Sequence, residues 1–147
     1  MIKLDDKIIA SGSEDNSIKI WNIETGTLLD TFHENNPVIS LAFNYETRQL
    51  ISGNLKGEIS LRTLNEDYWQ QNLQTFKAHT GIIRTIKLIS NNNLATGGED
   101  NKVKIWSFDG QLLAELEHQN FVQSIELLDN KKIISASYDG TIKIWTV

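Results

Sequence analysis

One short phrase recurs four times along this chain, and its spacing constrains the fold more than any other feature. Each copy joins apolar residues to small and hydroxyl residues, at positions 9–15, 51–53, 95–100 and 134–139. The first hydroxyl residues of the four copies are Ser11, Ser52, Thr96 and Ser135, which lie 41, 44 and 39 positions apart. Such self-similarity at a nearly fixed period indicates one structural unit repeated along the chain.

Each copy is followed by a polar turn and a segment in which apolar residues alternate, at 18–21, 59–62, 103–106 and 142–145. Alternation with a period of two predicts strands, and the intervening Asp-Asn, Lys-Gly and Asp-Gly pairs favour tight hairpin turns. Helical periodicity is nearly missing. We therefore predict an all-β chain with four equivalent hairpins, which in a complete unit are flanked by a further outer strand and a further inner strand.

A period near forty residues is typical of the blades of a β-propeller. The sequence thus predicts a propeller arc of about four four-stranded antiparallel blades, with approximate boundaries at 1–32, 33–77, 78–117 and 118–147. The first blade begins late in its inner strand and the last has no segment for an outer strand, so both terminal blades are expected to be incomplete. Self-association or additional blades are expected to complete the propeller.

Composition excludes several classes of function. The chain has 147 residues, a formal net charge of −5 and no cysteine, so disulfides, thiolate metal sites and cysteine nucleophiles are absent. Its negative field disfavours nucleic acid and anionic membranes as partners. Neither a membrane span nor a signal peptide is apparent, and we expect a cytoplasmic location.

The residues resemble the WD-repeat β-propeller family along essentially the whole chain. In that family a loop His, a strand Ser or Thr, a turn Asp and a strand Trp form a buried hydrogen-bonded tetrad. The resemblance implies two full tetrads, with His-to-Asp spacings of 21 and Asp-to-Trp spacings of 6 in both: His79, Thr96, Asp100, Trp106 and His118, Ser135, Asp139, Trp145. It implies partial sets of Ser11, Asp15 and Trp21 in the first unit and of His33 and Ser52 in the second. Because the second unit has Lys56 and Arg62 where Asp and Trp are expected, we predict that this blade is the least rigid.

Two kinds of chemistry can be weighed against this structural role. His118, Ser135 and Asp139 have the residue types of a hydrolase triad, but Ser135 lies within a predicted strand and no G-x-S-x-G elbow occurs. The three histidines fall one to a blade, so they are not expected to converge on a metal ion. We predict no catalytic residues, no metal and no cofactor, and a hydrolase using His118 and Ser135 remains only as a remote alternative.

Surface residues are the remaining candidates for function. The resemblance places partner binding beside the start of each inner strand and just before each turn Asp, which in this chain are Pro37, Ile39, Leu55, Ile82, Arg84, Phe121, Gln123, Tyr138, Glu14 and Glu99. A longer loop in the second unit adds Tyr68 and Trp69 on the opposite face, either to bind a partner or to cover their own sheet.

The predicted function is a non-catalytic protein–protein interaction scaffold, a WD-repeat platform that binds a peptide or protein partner. The alternative from another class is a regulatory or targeting fragment of a larger multidomain enzyme. The sequence leaves the partner, the pathway and the oligomeric state open.

Overall fold

The computed structural model describes residues 1–89, 93–129 and 131–147, and every regular element in these ranges is a β-strand. The first sheet contains β1 (Ile2–Lys3), β2 (Ile8–Gly12), β3 (Ser17–Asn22) and β4 (Thr27–His33). The second contains β5 (Val38–Asn44), β6 (Gln49–Asn54), β7 (Glu58–Leu64) and β8 (Gln70–Lys77). The third contains β9 (Ile83–Ile89), β10 (Asn93–Gly98), β11 (Lys102–Ser107) and β12 (Leu112–Glu117). The fourth contains β13 (Val122–Asp129), β14 (Lys132–Ser137) and β15 (Ile142–Thr146).

The strands of every sheet pair antiparallel and in chain order, and the repeated phrase forms the second strand of each sheet. The registers of the four sheets are equivalent, because Ser11 pairs with Lys19, Ser52 with Ser60, Thr96 with Lys104 and Ser135 with Lys143. The turns between the second and third strands place a residue with positive φ at the same point of each hairpin, namely Asn16, Gly57, Asn101 and Gly140. Asn and Gly tolerate this conformation, which is why these residue pairs form tight turns.

Neighbouring sheets pack face to face through alternate residues of their second and third strands. Ala10, Ile18 and Ile20 of the first sheet are completely buried against the second sheet. The equivalent residues of the second and third sheets face the next sheet in the same way. Gly97 permits this close approach, since a Cβ added there would lie 2.6 Å from Val122 Cγ1.

The prediction of an all-β chain of antiparallel propeller blades is confirmed, and the sheets form an arc that does not close into a ring. The terminal sheets are reduced as expected: β1 has two residues, and the fourth sheet has three strands within the described part of the chain. In these same ranges, no helix is long and apolar enough to cross a membrane.

Candidate functional site

The third sheet brings His79, Thr96, Asp100 and Trp106 into one hydrogen-bonded chain. The indole Nε1–H of Trp106 donates to Thr96 Oγ1 at 2.9 Å, and Thr96 Oγ1 lies 2.7 Å from His79 Nε2. His79 Nδ1 lies 2.7 Å from Asp100 Oδ1. A carboxylate only accepts, so Nδ1 carries a proton, and in the neutral imidazole Nε2 then accepts the threonine hydroxyl. Every polar group of this buried chain therefore has a partner.

The fourth sheet repeats the arrangement with His118, Ser135, Asp139 and Trp145. Trp145 Nε1–H donates to Ser135 Oγ at 2.7 Å, Ser135 Oγ lies 2.7 Å from His118 Nε2, and His118 Nδ1 lies 3.0 Å from Asp139 Oδ2. Asp139 also accepts from the hydroxyl and backbone N–H of Thr141. The aspartate therefore fixes both the histidine and the hairpin turn.

Both turn aspartates are held in the charged form. Burial acts to raise the pKa of Asp100, but hydrogen bonding and proximity to His79 outweigh it and keep that pKa below its usual value. The pKa of Asp139 is also lowered, mainly because the Thr141 hydroxyl and the backbone N–H groups of Gln119 and Thr141 donate to it. These anions are the acceptors at the ends of the two tetrads.

The geometry argues against the hydrolase alternative. Ser135 has no exposed surface, and its oxygen already accepts the indole N–H of Trp145 while contacting His118. A substrate carbonyl has no access to this hydroxyl, and the third sheet builds the same chain around Thr96. Within the described residues, no group of three or more His, Cys, Asp or Glu side chains is placed to hold a metal ion.

The first sheet makes part of the tetrad. Trp21 Nε1–H donates to Ser11 Oγ at 2.9 Å, as in the complete sets. Asp15 is exposed and accepts instead from the hydroxyl of Ser17 at 2.6 Å, which lowers its pKa. Its carboxylate fixes the turn without a histidine.

In the second sheet the histidine position is occupied by Glu34, and the assignment of His33 to this set is wrong. His33 is the last residue of β4, where it pairs with Ser17 and its side chain is exposed. The backbone N–H of Glu34 donates to Asn16 O at 2.8 Å, as that of His118 donates to Asn101 O at 2.9 Å. Glu34 Oε1 then accepts from Ser52 Oγ at 2.7 Å.

The partner of Glu34 is Arg62, which stands at the tryptophan position of the second sheet. Arg62 Nη1 lies 2.5 Å from Glu34 Oε1, and both side chains are buried. Arg62 Nε–H also donates to Gln70 Oε1 at 2.9 Å, and the guanidinium lies 5.6 Å from the ring centroid of Phe32 in the first sheet. An ion pair thus takes the place of the imidazole and the indole. The strands of the second sheet, which the sequence predicts to be the least rigid blade, are therefore connected by hydrogen bonds at this point.

Five of the partner-binding candidates meet at one end of the junction between the third and fourth sheets. Arg84 forms an ion pair with Glu99, and its guanidinium lies 6.0 Å from the ring centroid of Phe121 and 5.7 Å from that of Tyr138. The two rings meet edge to face at 6.4 Å, and Arg84 Nη1 lies 3.4 Å from Gln123 Oε1. We call this set, Arg84, Glu99, Phe121, Gln123 and Tyr138, the Arg84 patch.

The other candidates lie at equivalent positions of the repeat: Glu14 in the first sheet, Pro37, Ile39 and Leu55 in the second, and Ile82 immediately before β9 of the third. Leu55 N–H donates to Pro37 O, as Glu99 N–H donates to Ile82 O and Tyr138 N–H donates to Phe121 O. Ile39 and Leu55 are each 37% exposed, whereas Glu14 lies exposed in the first hairpin turn. Ile82 therefore lies beside Glu99 of the patch, whereas the candidates of the first and second sheets extend the same end of the arc away from it.

Tyr68 and Trp69 of the longer loop have different environments. The Tyr68 hydroxyl donates to the Asp5 carboxylate, and the Arg48 guanidinium lies 4.9 Å from its ring centroid, so Tyr68 folds back onto the first sheet. Trp69 is 55% exposed. Only Trp69 of this pair is open to a partner.

Comparison with known proteins identifies the repeats of this chain as those of a known family. The family model described as "WD domain, G-beta repeat" matches residues 3–22, 70–107 and 110–146. The matched ranges omit residues 23–69, which contain β4 to β7 and both members of the ion pair of Glu34 and Arg62 that replaces the tetrad. The chain is 32% identical over 104 residues to the U3 small nucleolar RNA-associated protein 21 homolog of Schizosaccharomyces pombe and 31% identical over 103 residues to the APC/C activator protein CDC20 of Saccharomyces cerevisiae.

Each of these two matches covers 69% of this chain but only 11% and 17%, respectively, of the longer relative. Among solved structures, the chain is similar to the computationally designed Ika4 protein, with a TM-score of 0.82 and 29% identity over 97% of this chain and 87% of that one. It also resembles the structure of U3-55K, with a TM-score of 0.86 and 22% identity over 100% of this chain and 47% of that chain. The second likeness concerns the fold alone.

Proposed function

This chain belongs to the WD-repeat family, and we propose that it is a non-catalytic interaction platform that binds a peptide or protein partner through the Arg84 patch. Proteins of this family generally act as protein-interaction scaffolds. The polar side chains that the sequence alone suggests for catalysis are buried inside the sheets, where they form hydrogen bonds with one another. The surface is therefore where the specific function of this chain is expressed.

The observation that carries the proposal is the ordering of two exposed aromatic rings around one arginine. Phe121 is 38% exposed and Tyr138 is 58% exposed, yet each ring contacts the other and lies near the Arg84 guanidinium. Tyrosine and arginine are enriched among the residues that dominate binding energy at interfaces. Because these side chains are already held in place, they lose less conformational freedom when a partner docks on them.

The patch also suggests which kind of contact a partner makes. A shallow depression of about 250 Å³ beside Tyr138 is lined by Gln123, Ala136, Ser137 and Tyr138. An apolar side chain of the partner fits this depression, and the partner's backbone can form hydrogen bonds with the side chain of Gln123. Since Glu99 neutralises Arg84, the patch does not require a strongly charged partner.

The proposal is tested by capture of proteins from the source cells on the immobilised chain and on the double variant Phe121→Ala/Tyr138→Ala. A matched control is Leu112→Ala/Leu113→Ala, which removes two exposed side chains of 48% and 51% exposure from an outer strand. We expect a specific partner to be retained by the wild-type chain and by the control and lost from the patch variant, with urea unfolding midpoints alike in all three. Retention by the patch variant, or equal loss from the control, contradicts the proposal.

A second candidate function rests on the lengths of the relatives. The matched stretch makes up 11% and 17% of the two relatives described above, so propellers of this kind occur as parts of much larger proteins. The chain then acts as a regulatory or targeting segment of a larger protein. An immunoblot of source cells distinguishes the two cases, because a band far above 16.7 kDa supports the segment and a band at that mass supports the free platform.

A further inference from the structure

One four-residue pattern occurs twice in this chain and forms the same kind of turn in both places. Residues 107–110 and 137–140 each consist of serine, an aromatic residue, aspartate and glycine, and they contain the two Asp–Gly pairs of the sequence. In both turns the glycine N–H donates to the carbonyl of the serine, at 3.1 Å and 3.2 Å. Gly110 and Gly140 also have similar positive φ angles, 84° and 80°. The two aspartates therefore have closely similar local backbones.

The carboxylate of Asp139 is fixed at both of its oxygens. Oδ2 lies 3.0 Å from His118 Nδ1 and accepts from the backbone N–H of Gln119 at 2.9 Å. Oδ1 accepts from the hydroxyl and the backbone N–H of Thr141, at 2.6 Å and 2.8 Å. These donors, the Thr141 hydroxyl foremost, lower the pKa of Asp139 and hold it as an anion. Its Cγ therefore turns toward the amide N of Gly140 only if these hydrogen bonds break.

The carboxylate of Asp109, in the turn between β11 and β12, is held much less firmly. Asp109 is exposed, and within the described part of the chain the hydroxyl of Ser107 is the one hydrogen-bond donor to its carboxylate. Gln111 stands where the other turn has threonine, and its backbone N–H donates to Ser107 Oγ at 3.2 Å rather than to Asp109. The Asp109 side chain is therefore free to bring its Cγ close to the amide N of Gly110.

We propose that Asp109 is a site of spontaneous isomerisation to isoaspartate, and that Asp139 is protected from the same reaction by the hydrogen bonds of its tetrad and turn. The residue that follows the aspartate favours this reaction at both sites. Glycine has no side chain, so nothing obstructs the approach of its amide N to the neighbouring Cγ. The difference between the two sites therefore comes from the donors around each carboxylate.

The reaction needs no reagent except water. The amide N of Gly110 attacks Cγ of the protonated Asp109 carboxyl, a C–N bond forms, and the side-chain hydroxyl leaves as water with the amide proton. Water then adds to the backbone carbonyl carbon of Asp109 in the five-membered ring and breaks the bond of that carbon to Gly110 N. The amide N recovers a proton, the chain now runs through Cγ, and the old carbonyl carbon becomes a free carboxylate. No atom is gained or lost overall.

Isomerisation lengthens the backbone at a packed turn, because Cβ of Asp109 becomes part of the main chain. Gly110 lies against β8, since a Cβ added to it would be 3.2 Å from Phe76 Cδ1. The ring of Phe76 in turn packs against Trp106, with 5.2 Å between the centroids. A longer turn displaces Gly110 from Phe76 or from the carbonyl of Ser107. We therefore expect the isomerised chain to be less stable where the second sheet meets the third.

The test compares the two sites in one sample. The chain is incubated at neutral pH, folded in one arm and unfolded in guanidinium chloride in the other, and isoaspartate at positions 109 and 139 is measured by electron-transfer fragmentation of the digested peptides. In the unfolded chain the two sites have nearly the same neighbours, so we expect their rates to agree within about threefold. In the folded chain we expect isoaspartate to form at Asp109 about tenfold faster than at Asp139, or more.

Two variants identify the cause. Gln111→Thr gives Asp109 the hydroxyl donor that Thr141 gives to Asp139, and we expect it to slow isomerisation at position 109 about threefold or more in the folded chain and to leave the unfolded rate unchanged. Asp109→Glu is the control for the consequence, because its side chain is too long to form the five-membered ring. We expect its urea unfolding midpoint to stay constant during the incubation, while that of the original chain falls as isoaspartate accumulates.

Three results overturn the proposal. The first is isoaspartate that forms at Asp139 of the folded chain as fast as at Asp109. The second is a folded chain without isoaspartate at Asp109 after an incubation that produces it in the unfolded chain. The third is an unchanged rate at Asp109 in Gln111→Thr. These measurements involve no partner, so their outcome does not depend on the function proposed for the Arg84 patch.

Discussion

The second and third sheets have the same strand order and equivalent registers, but different chemistry connects their strands. In the third sheet, four neutral or singly charged groups pass hydrogen bonds from Trp106 through Thr96 and His79 to Asp100. In the second sheet, the buried Arg62 and Glu34 occupy the tryptophan and histidine places, and Ser52 contributes its hydroxyl. The two sheets therefore share hydrogen-bonded pairing of their buried polar side chains, although the residue types that make the pairs differ.

The difference has an energetic consequence. A complete buried ion pair adds little stability compared with neutral side chains, because both ions lose their hydration. Removal of one partner is much more destabilising, because the other charge then stays buried without a counter-charge. Removal of one hydroxyl from a tetrad leaves neutral groups unpaired, which costs less. The second sheet is thus expected to depend more strongly on each of its members than the third.

The largest effect is expected for Glu34→Ala. Among the described residues, the substitution leaves the buried Arg62 with Gln70 as its one polar side-chain partner, and we expect the free energy of unfolding to fall by about 3–5 kcal/mol in urea titration. Glu46→Ala, at an exposed position after β5, is the matched control and should change stability little. A loss for Glu34→Ala no greater than that for the control would show that the ion pair does not stabilise the sheet.

A smaller loss is expected for Thr96→Val, which keeps the shape of the side chain and removes its hydroxyl. Trp106 Nε1–H and His79 Nε2 each lose their partner, and about 1–3 kcal/mol of unfolding free energy should be lost. Thr75→Val on the exposed surface of β8 is the matched control. The comparison between the two sheets fails if this loss equals or exceeds that of Glu34→Ala.

The third prediction concerns acid. The pKa of Asp100 is below its usual value in the folded chain, so its contribution to stability is fully present above the unfolded-state value of about 3.9 and is lost as pH falls toward and through the folded-state value. Asp100→Asn should therefore flatten the decline of unfolding free energy below that pH. An unaltered slope would mean that Asp100 is not held ionised by His79.

The smallest net effect is expected when the chemistry of one sheet is exchanged for that of the other. The triple variant Glu34→His/Lys56→Asp/Arg62→Trp builds the tetrad around Ser52, and its stability should lie within about 1 kcal/mol of the original chain. Thermal and urea unfolding measure it directly. Instability equal to that of Glu34→Ala would show that the second sheet accepts only the ion pair.

Much of the fold and the two tetrads followed from local patterns in the sequence. Ser11, Ser52, Thr96 and Ser135 mark equivalent points of the second strands because the alternation of apolar residues fixes which face each residue occupies. Because the spacing between the histidine and the aspartate is the same in the third and fourth sheets, the two side chains lie at equivalent positions in both sheets.

The second sheet could not be assigned in the same way. The sequence assigns His33 to the histidine position because it has the expected residue type. Glu34, one position later, has the backbone hydrogen bond that defines this position. One signal was available: Arg62 replaces a residue that is buried in the third sheet, and a buried arginine requires a carboxylate. Which carboxylate supplies it depends on the packing of the first sheet against the second, which spacing does not encode.

The central claim, that the Arg84 patch is the interaction surface, is tested most directly by site-specific photocrosslinking. A photoreactive amino acid replaces either Tyr138 or Tyr45, two tyrosines of similar exposure, 58% and 60%, of which Tyr45 follows the far end of its inner strand. After irradiation in source cells, we predict a discrete protein adduct from position 138 and none from position 45. Adducts of equal yield from both positions, or an adduct from position 45 alone, would contradict the claim.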